Sequence, residues 1–388
     1  MDYAELEARL IDIRRQLHQF PELSLEEYET TKRIKEWLTE KNIVIKRTTL
    51  KTGVFADIKG KYDSPKVAIR ADIDALPIEE ETNLPYASKV KGKMHACGHD
   101  FHTAALIGAA YLLQKSKDTL PGSIRLLFQP AEESGGGAEL VKADEQLKDI
   151  DYIIGLHNKP DLPVGTIGLK NGAMMAAVDR FIVEINGKGS HAALPHAGHD
   201  PIVASAHLIT AIQTIVSRNV SPLEGAVISI TRIVGGNTWN VIPNKVTLEG
   251  TIRTFSNSIR QEVKKRFELV VQQTSLAFGQ QAKVHWYPGP PALINDLKVN
   301  QSLHRTAEKQ LLTVIDPEPS MGGEDFSHYL EDIRGAFVFF GTNGTEDWHH
   351  PKFTIDELAL MPAAKFLYES AKDLLKLTNK KDIGGDRK

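Results

Sequence analysis

Three buried-type strand patterns, each running straight into metal-type polar residues, constrain this chain more than any other feature. Lys66–Ala71 leads into Asp72-Ile73-Asp74-Ala75-Leu76-Pro77, Ser123–Phe128 ends at Gln129-Pro130-Ala131-Glu132-Glu133, and Tyr152–Leu156 ends at His157. Apolar helical runs such as Ala104–Leu113 lie between them. Strands alternating with helices predict an α/β fold with a mostly parallel sheet and helices on both faces. In open sheets of this kind ligands bind at the C-terminal edge of the strands. All three polar segments fall on that edge.

The densest chemistry is Met94-His95-Ala96-Cys97-Gly98-His99-Asp100-Phe101-His102, which holds three histidines, a carboxylate and the only cysteine of the chain. Thiolate, imidazole and carboxylate are the side chains that donate electron pairs to divalent transition metals. Cys97 and His99 are two apart, so in an extended or loop conformation both point the same way. Taken alone, the stretch also reads as a solvated polar loop with Cys97 as a small buried hydrophobe. The donors arriving from other strands favour a metal site. Adjacent carboxylates suit such a site, because Glu133 can hold metal while Glu132 accepts a proton from water. Gly135-Gly136-Gly137 and Gly187-Lys188-Gly189-Ser190 lack the spacing of a phosphate loop and read as turns.

Leu6, Leu10, Ile13 and Leu17 mark one face of an N-terminal helix. A second helical stretch runs through Ile34, Trp37 and Leu38. From Asp179 the pattern changes to alternating strands and two long helices, Pro201–Arg218 and Ser258–Phe278, in β-α-β-β-α-β order. That order is the ferredoxin-like split unit. The expected organisation is a discontinuous α/β domain, 1–178 and 291–388, with a smaller α+β domain, 179–290, inserted. The tail after Thr378 is polar and reads as disordered.

With 388 residues, 25% charged and a net charge of −3, the chain gives no electrostatic reason to expect nucleic acid or an anionic membrane as partner. The N-terminus lacks the apolar core of a signal peptide, and no apolar run reaches transmembrane length. One cysteine rules out an intrachain disulfide and fits a reducing compartment. A cytoplasmic protein is expected.

Arg70–Pro77, His95–His102, Gln129–Glu133, His157-Asn158 and His349-His350-Pro351 together resemble the M20 metallopeptidase family, most closely its amidohydrolase branch. Gly187–Ala193, Asn240-Val241-Ile242-Pro243 and Gly250-Thr251-Ile252-Arg253 extend the resemblance through the inserted region. The branch includes hippurate hydrolases, N-acyl-amino-acid hydrolases, N-acetyldiaminopimelate deacetylases and auxin-conjugate hydrolases. The resemblance implies two divalent metal ions (zinc, manganese, cobalt or nickel) held by Cys97, His99, Glu133, His157 and His349. It implies Glu132 as general base and Asp74 as the residue orienting a ligand. His191, Asn240 and Arg253 are implied for substrate, Arg253 through the substrate carboxylate, with His191 reaching a partner's cleft in a homodimer. His102 is either placed behind a ligand or only starts a helix. Asp72 stands where the peptidase branch has a metal-binding histidine. The implied activity is hydrolysis of N-acyl amino acids. A carboxypeptidase or dipeptidase with the same chemistry and a metal-binding protein with a dead site are the alternatives.

Overall fold

A computed structural model describes residues 2–377, so the tail after Thr378 lies outside the described residues. The chain forms two compact units. The first takes the chain through Gly172, Asn295–Pro317, and the chain from His328; the second is Ala173–Ile294 with Glu318–Ser327.

In the first unit an eight-stranded sheet runs in the order Val44–Ile45, Val54–Ile58, Ser123–Gln129, Lys66–Asp72, Tyr152–Lys159, Arg334–Gly341, Thr166–Gly168, Thr313–Ile315. Four of its seven neighbouring pairs are parallel. The four central strands, Ser123–Gln129, Lys66–Asp72, Tyr152–Lys159 and Arg334–Gly341, all point the same way, so their C-terminal ends share one edge. On one face Val67, Ile69, Ile124, Leu126, Ile154 and Val338 join the main core with the helices Tyr3–Gln19, His99–Lys115 and Leu360–Leu374. The alternate residues Ala68, Arg70, Leu127, Phe337 and Phe339 are buried as well, as expected of a sheet covered on both faces.

Two local readings need correction. His157 lies inside its strand rather than past its end, because Arg334–Gly341 continues the ladder through His157↔Phe339 and Lys159↔Gly341. His99 opens a helix rather than lying in an extended or loop segment, since His99–Lys115 begins there, and His102 falls in its first turn as one of the two readings had it. Gly98 caps that helix at φ 84°, where an added Cβ would sit 2.3 Å from Asn158 Nδ2, so both backbone and space call for glycine.

A buried ion cluster ties the first helix to the start of His99–Lys115. Arg14 Nε lies 3.1 Å from Asp100 and its Nη1 2.9 Å from Glu357, while His18 bridges Asp100 (2.9 Å) and Glu80 (3.2 Å). Beside His18 is His95, fully enclosed with neither ring nitrogen hydrogen-bonded.

The second unit is an antiparallel sheet in the order Ala226–Gly235, Lys245–Thr254, Ala177–Asn186, Gln281–Pro288, with helices Pro201–Asn219 and Asn257–Ala277. Strand Ala177–Asn186 alternates, and its Phe181, Val183 and Ile185 meet Leu208, Ile212, Leu248 and Phe267 in a separate core. Among the described residues no helix is long and apolar enough to cross a membrane.

Burial pushes the His95 imidazole down to about 4 despite the pull of Asp100. Folded protein therefore keeps His95 neutral while an unfolded chain binds its proton near pH 6.5. His95 costs no stability above that pH, and stability is lost as pH falls from about 6.5 towards 4. Asp100 and Glu80 outweigh burial and raise His18, which acts in the opposite sense. Comparison with His95→Gln isolates the His95 part. Between pH 7 and 5, urea unfolding of chelator-treated wild type should lose about 2 kcal/mol more than the variant. Parallel pH profiles for the two proteins would contradict this.

Candidate metal centre

Two loops that follow strands, one strand and one helix start deliver the donors. Cys97 precedes Gly98, His99 opens the helix, Glu132 and Glu133 follow strand Ser123–Gln129, His157 lies in Tyr152–Lys159, and His349 lies in the loop after Arg334–Gly341. Cys97 Sγ is 3.5 Å from His157 Nε2, and Glu133 Oε1 is 3.8 Å from His99 Nε2 and 3.5 Å from His349 Nε2. Cys97, His99 and His157 form one cluster whose donor atoms lie within 4.8 Å of one another; Cys97, Glu133 and His349 form a second, and His99, Glu132 and Glu133 a third. The chain folds back so that His349, at φ 65°, donates its backbone N–H to Ala96 (2.9 Å). A left-handed backbone at a non-glycine residue is costly and is held here by its surroundings.

Asp74 organises the centre. It is buried and accepts hydrogen bonds from the backbone N–H of Glu132 (Oδ1, 3.1 Å) and of Glu133 (Oδ2, 3.0 Å), and from Ser24 Oγ (2.6 Å). Its Oδ1 also faces His99 Nδ1 at 3.3 Å. A carboxylate at Nδ1 holds the imidazole proton there and leaves Nε2 for a metal. Asp72 serves a different purpose. It pairs with Arg70 Nη1 (2.7 Å) and with His102 Nδ1 (2.6 Å), while His102 Nε2 accepts the Asn158 N–H (2.9 Å). His102 is thus satisfied at both nitrogens and stands behind the His157-Asn158 segment.

Two participants carried no role in the sequence reading. Asn158 Nδ2 donates to the Cys97 carbonyl (2.5 Å), and Trp348 packs edge-on to His157 at 4.7 Å while its indole N–H reaches the Asn158 carbonyl (3.2 Å). Their positions beside His157 and His349 were the only available signal.

The donor set fits metal. His99 Nε2 and Glu133 Oε1 are buried with no hydrogen-bond partner, an arrangement costly unless a cation joins them. Burial pushes the Cys97 thiol well up and the charge of Glu133 adds to this, so the sulfur gives up its proton only to a compensating cation. Burial, with His102 next, holds His157 well below the usual histidine range, the neutral form that ligates.

The other three expected residues lie in the second unit. His191 and Asn240 are neighbours there: His191 pairs with Val241, and the Ala192 N–H donates to the Asn240 carbonyl (3.0 Å). Arg253 is half-buried in Lys245–Thr254. It donates to Thr251 Oγ1 (3.1 Å) and the Met321 carbonyl (3.4 Å), with no carboxylate partner among the described residues.

Thiolate, imidazole and carboxylate donors gathered at the C-terminal edge of a mostly parallel sheet define a metal-binding hydrolase. Within that class the chain belongs to Peptidase family M20/M25/M40, which matches residues 68–373. It is 62% identical over 375 residues, 97% of this chain and 90% of the relative, to an N-acetyl-L-cysteine deacetylase of Bacillus subtilis (strain 168). An N-acetylcysteine deacetylase of the same strain is 51% identical over 364 residues, 94% of this chain and 96% of that protein. Among solved structures it resembles a Bacillus subtilis protein described as a dinuclear metal binding peptidase from the M20 family, with a TM-score of 0.89 and 47% identity, covering 97% of this chain and 99% of that one. Close relatives that are deacetylases make this chain a hydrolase of C–N amide bonds.

Metal binding should release protons, because the thiol of Cys97 is protonated without a cation. Calorimetry in buffers of different ionisation enthalpy should show less proton release for Cys97→Ser, together with weaker retention. Elemental analysis of active protein should find two metals per chain. A single equivalent, or unchanged proton release in the variant, would contradict this assignment.

Proposed function

We propose that this protein hydrolyses the amide bond of N-acyl amino acids, with small acyl groups such as acetyl first in order. The observation that carries the reading is the pair Glu132-Glu133, adjacent in sequence and both hung on Asp74. Glu133 faces His99 and His349, while Glu132 is half-buried on the same loop.

Cys97, His99, Glu133, His157 and His349 would hold the two divalent ions, and their mixed donor set suits zinc, manganese, cobalt or nickel. When bound, the ions supply Lewis acidity towards an amide carbonyl and towards water. Glu132 takes the proton of the attacking water and returns it to the leaving nitrogen, the general base becoming the general acid. Asp74 keeps Glu132 and Glu133 in place through their amides. The products are a carboxylic acid and a free amino acid.

Arg253, an arginine without an acidic partner, is the residue we assign to the substrate carboxylate, which its planar fork can meet with two hydrogen bonds. The deacetylases among its relatives make N-acetylcysteine the first substrate to try. The inserted 179–290 region is assigned as a ferredoxin-like lid that also forms a homodimer, with His191 and Asn240 completing the partner's site as donors to the developing oxyanion. The lone buried cysteine suits a cytoplasmic protein.

A panel of N-acetyl, N-benzoyl and other N-acyl amino acids beside dipeptides, after reconstitution with each metal, tests this reading. Glu132→Gln should lower turnover by about 10²–10⁴ with metal content kept, whereas Glu133→Gln should lower metal content. Arg253→Ala should raise KM for N-acyl amino acids more than for their amides. Dipeptides cleaved in preference would turn the assignment to a peptidase.

Dimer completion has its own measurement. His191→Ala and Glu132→Gln should each be nearly inactive alone. Refolded together they should form about half heterodimers and recover about a quarter of wild-type activity per chain, by statistical pairing. A verified heterodimer without recovery would place His191 outside the partner's site.

A further inference from the structure

Pro130 has no N–H, so the loop carrying the two carboxylates begins its donors at Ala131. Ala131, Glu132 and Glu133 then present three successive backbone N–H groups. Glu132 and Glu133 donate to the two oxygens of Asp74. Ala131 donates to Glu27 Oε1 at 2.8 Å, across 104 residues of chain. Glu27 is 0% exposed, and its carboxyl enters from the connection between helices Tyr3–Gln19 and Tyr28–Thr39. The same connection sends Ser24 Oγ to Asp74 Oδ2 at 2.6 Å, and its Glu22 carbonyl accepts the Ala75 N–H at 2.8 Å. Two backbone positions in this assembly are left-handed without being glycine, Leu25 at φ 67° and Ala131 at φ 57°. Each costs about 1–3 kcal/mol and persists only where neighbouring contacts over-determine it.

We infer that Glu27 is a positioning residue for the catalytic loop: by holding the Ala131 amide it fixes the left-handed turn from which Glu132 and Glu133 project. The inference rests on the roles proposed for those two carboxylates. Asp74 fixes the peptides of Glu132 and Glu133, and the Ala131 carbonyl accepts from the Gly137 N–H and from Ser134 Oγ, each at 3.1 Å. Glu27 adds the hold on the Ala131 amide itself, the one side of the left-handed turn that these contacts do not reach. Ser24 links the two clamps, so the connection between the first two helices acts on both carboxylates without touching substrate.

The test compares Glu27→Gln, Glu27→Met and Glu27→Asp. Gln keeps an acceptor at the Oε1 position, Met keeps length without one, and Asp withdraws the carboxylate by one methylene. Metal affinity by chelator competition, kcat, KM and thermal midpoint are measured for each. Met and Asp should lose about 10²-fold in kcat, the scale of a small misplacement of a reacting group. They should lose about 10–100-fold in metal affinity, as when a residue behind a ligand is removed. KM should stay near wild type, and Gln should restore both kcat and metal affinity. Should Met fail to fold, Asp reads the same contact with a carboxylate still present. Variants that lose thermal stability alone, with kcat and metal affinity intact, would reduce Glu27 to a structural role and overturn the inference. So would a Gln variant as impaired as Met. Metal affinity is read without substrate, so a wild type inactive on the whole panel would refute the proposed function while the clamp is still decided by affinity.

Discussion

The carboxylate of Asp74 is the contact on which the rest of the site depends. Its oxygens take two successive amide hydrogens, one hydroxyl and the approach of an imidazole nitrogen, all within a buried pocket. Burial alone would make the charged form costly, yet His99, Ser24 and the Glu133 amide outweigh it and hold Asp74 below the usual carboxylate range. One anion thereby sets both the loop that bears Glu132 and the orientation of His99. Moving it would disturb Glu132 and the candidate donor cluster together.

The sheet explains why such a small group can be so influential. Asp74 follows strand Lys66–Asp72, which has parallel neighbours on both sides, Ser123–Gln129 and Tyr152–Lys159. The polar residues beyond these strands therefore start from a common, rigid edge. Arg14, Asp100 and His18 extend that rigidity to the helix that starts with His99. The donors are thus held by covalently distant parts of the chain that share a single frame.

Much of this was legible from local pattern. The period of Leu6, Leu10, Ile13 and Leu17 marked a helix, and the structure places it at Tyr3–Gln19. The apolar runs marked the central strands, because a covered parallel sheet leaves no wet face to interrupt them. Glu132, Glu133 and His157 could be picked out by residue type beside strands and Cys97 and His99 by their density in one short stretch, whereas His349 came only with the family resemblance. What could not be read was anything decided across the chain. The strand through His157 is prolonged by a neighbour from the far end of the sequence. The His18–Asp100 pair spans 82 residues and the Arg14–Glu357 pair 343, and no short-range periodicity encodes either. Glu27 carries no local signal that it will meet Ala131, and only the folded chain brings the two together. Nothing in Glu318–Ser327 signals that it returns to the second unit.

The order of strands in the sheet has a consequence for how the protein is made. Arg334–Gly341 lies in the interior of the sheet, between Tyr152–Lys159 and Thr166–Gly168, yet among the described residues it is the last strand to leave the ribosome. Until then the nascent chain carries strand edges that have no permanent neighbour, the kind of surface on which chains misassociate. The second unit, with its own core, is almost entirely synthesised during that interval. Translation thus places a self-contained folding event inside the wait for a missing strand, and His349, the last of the candidate donors, emerges only after it.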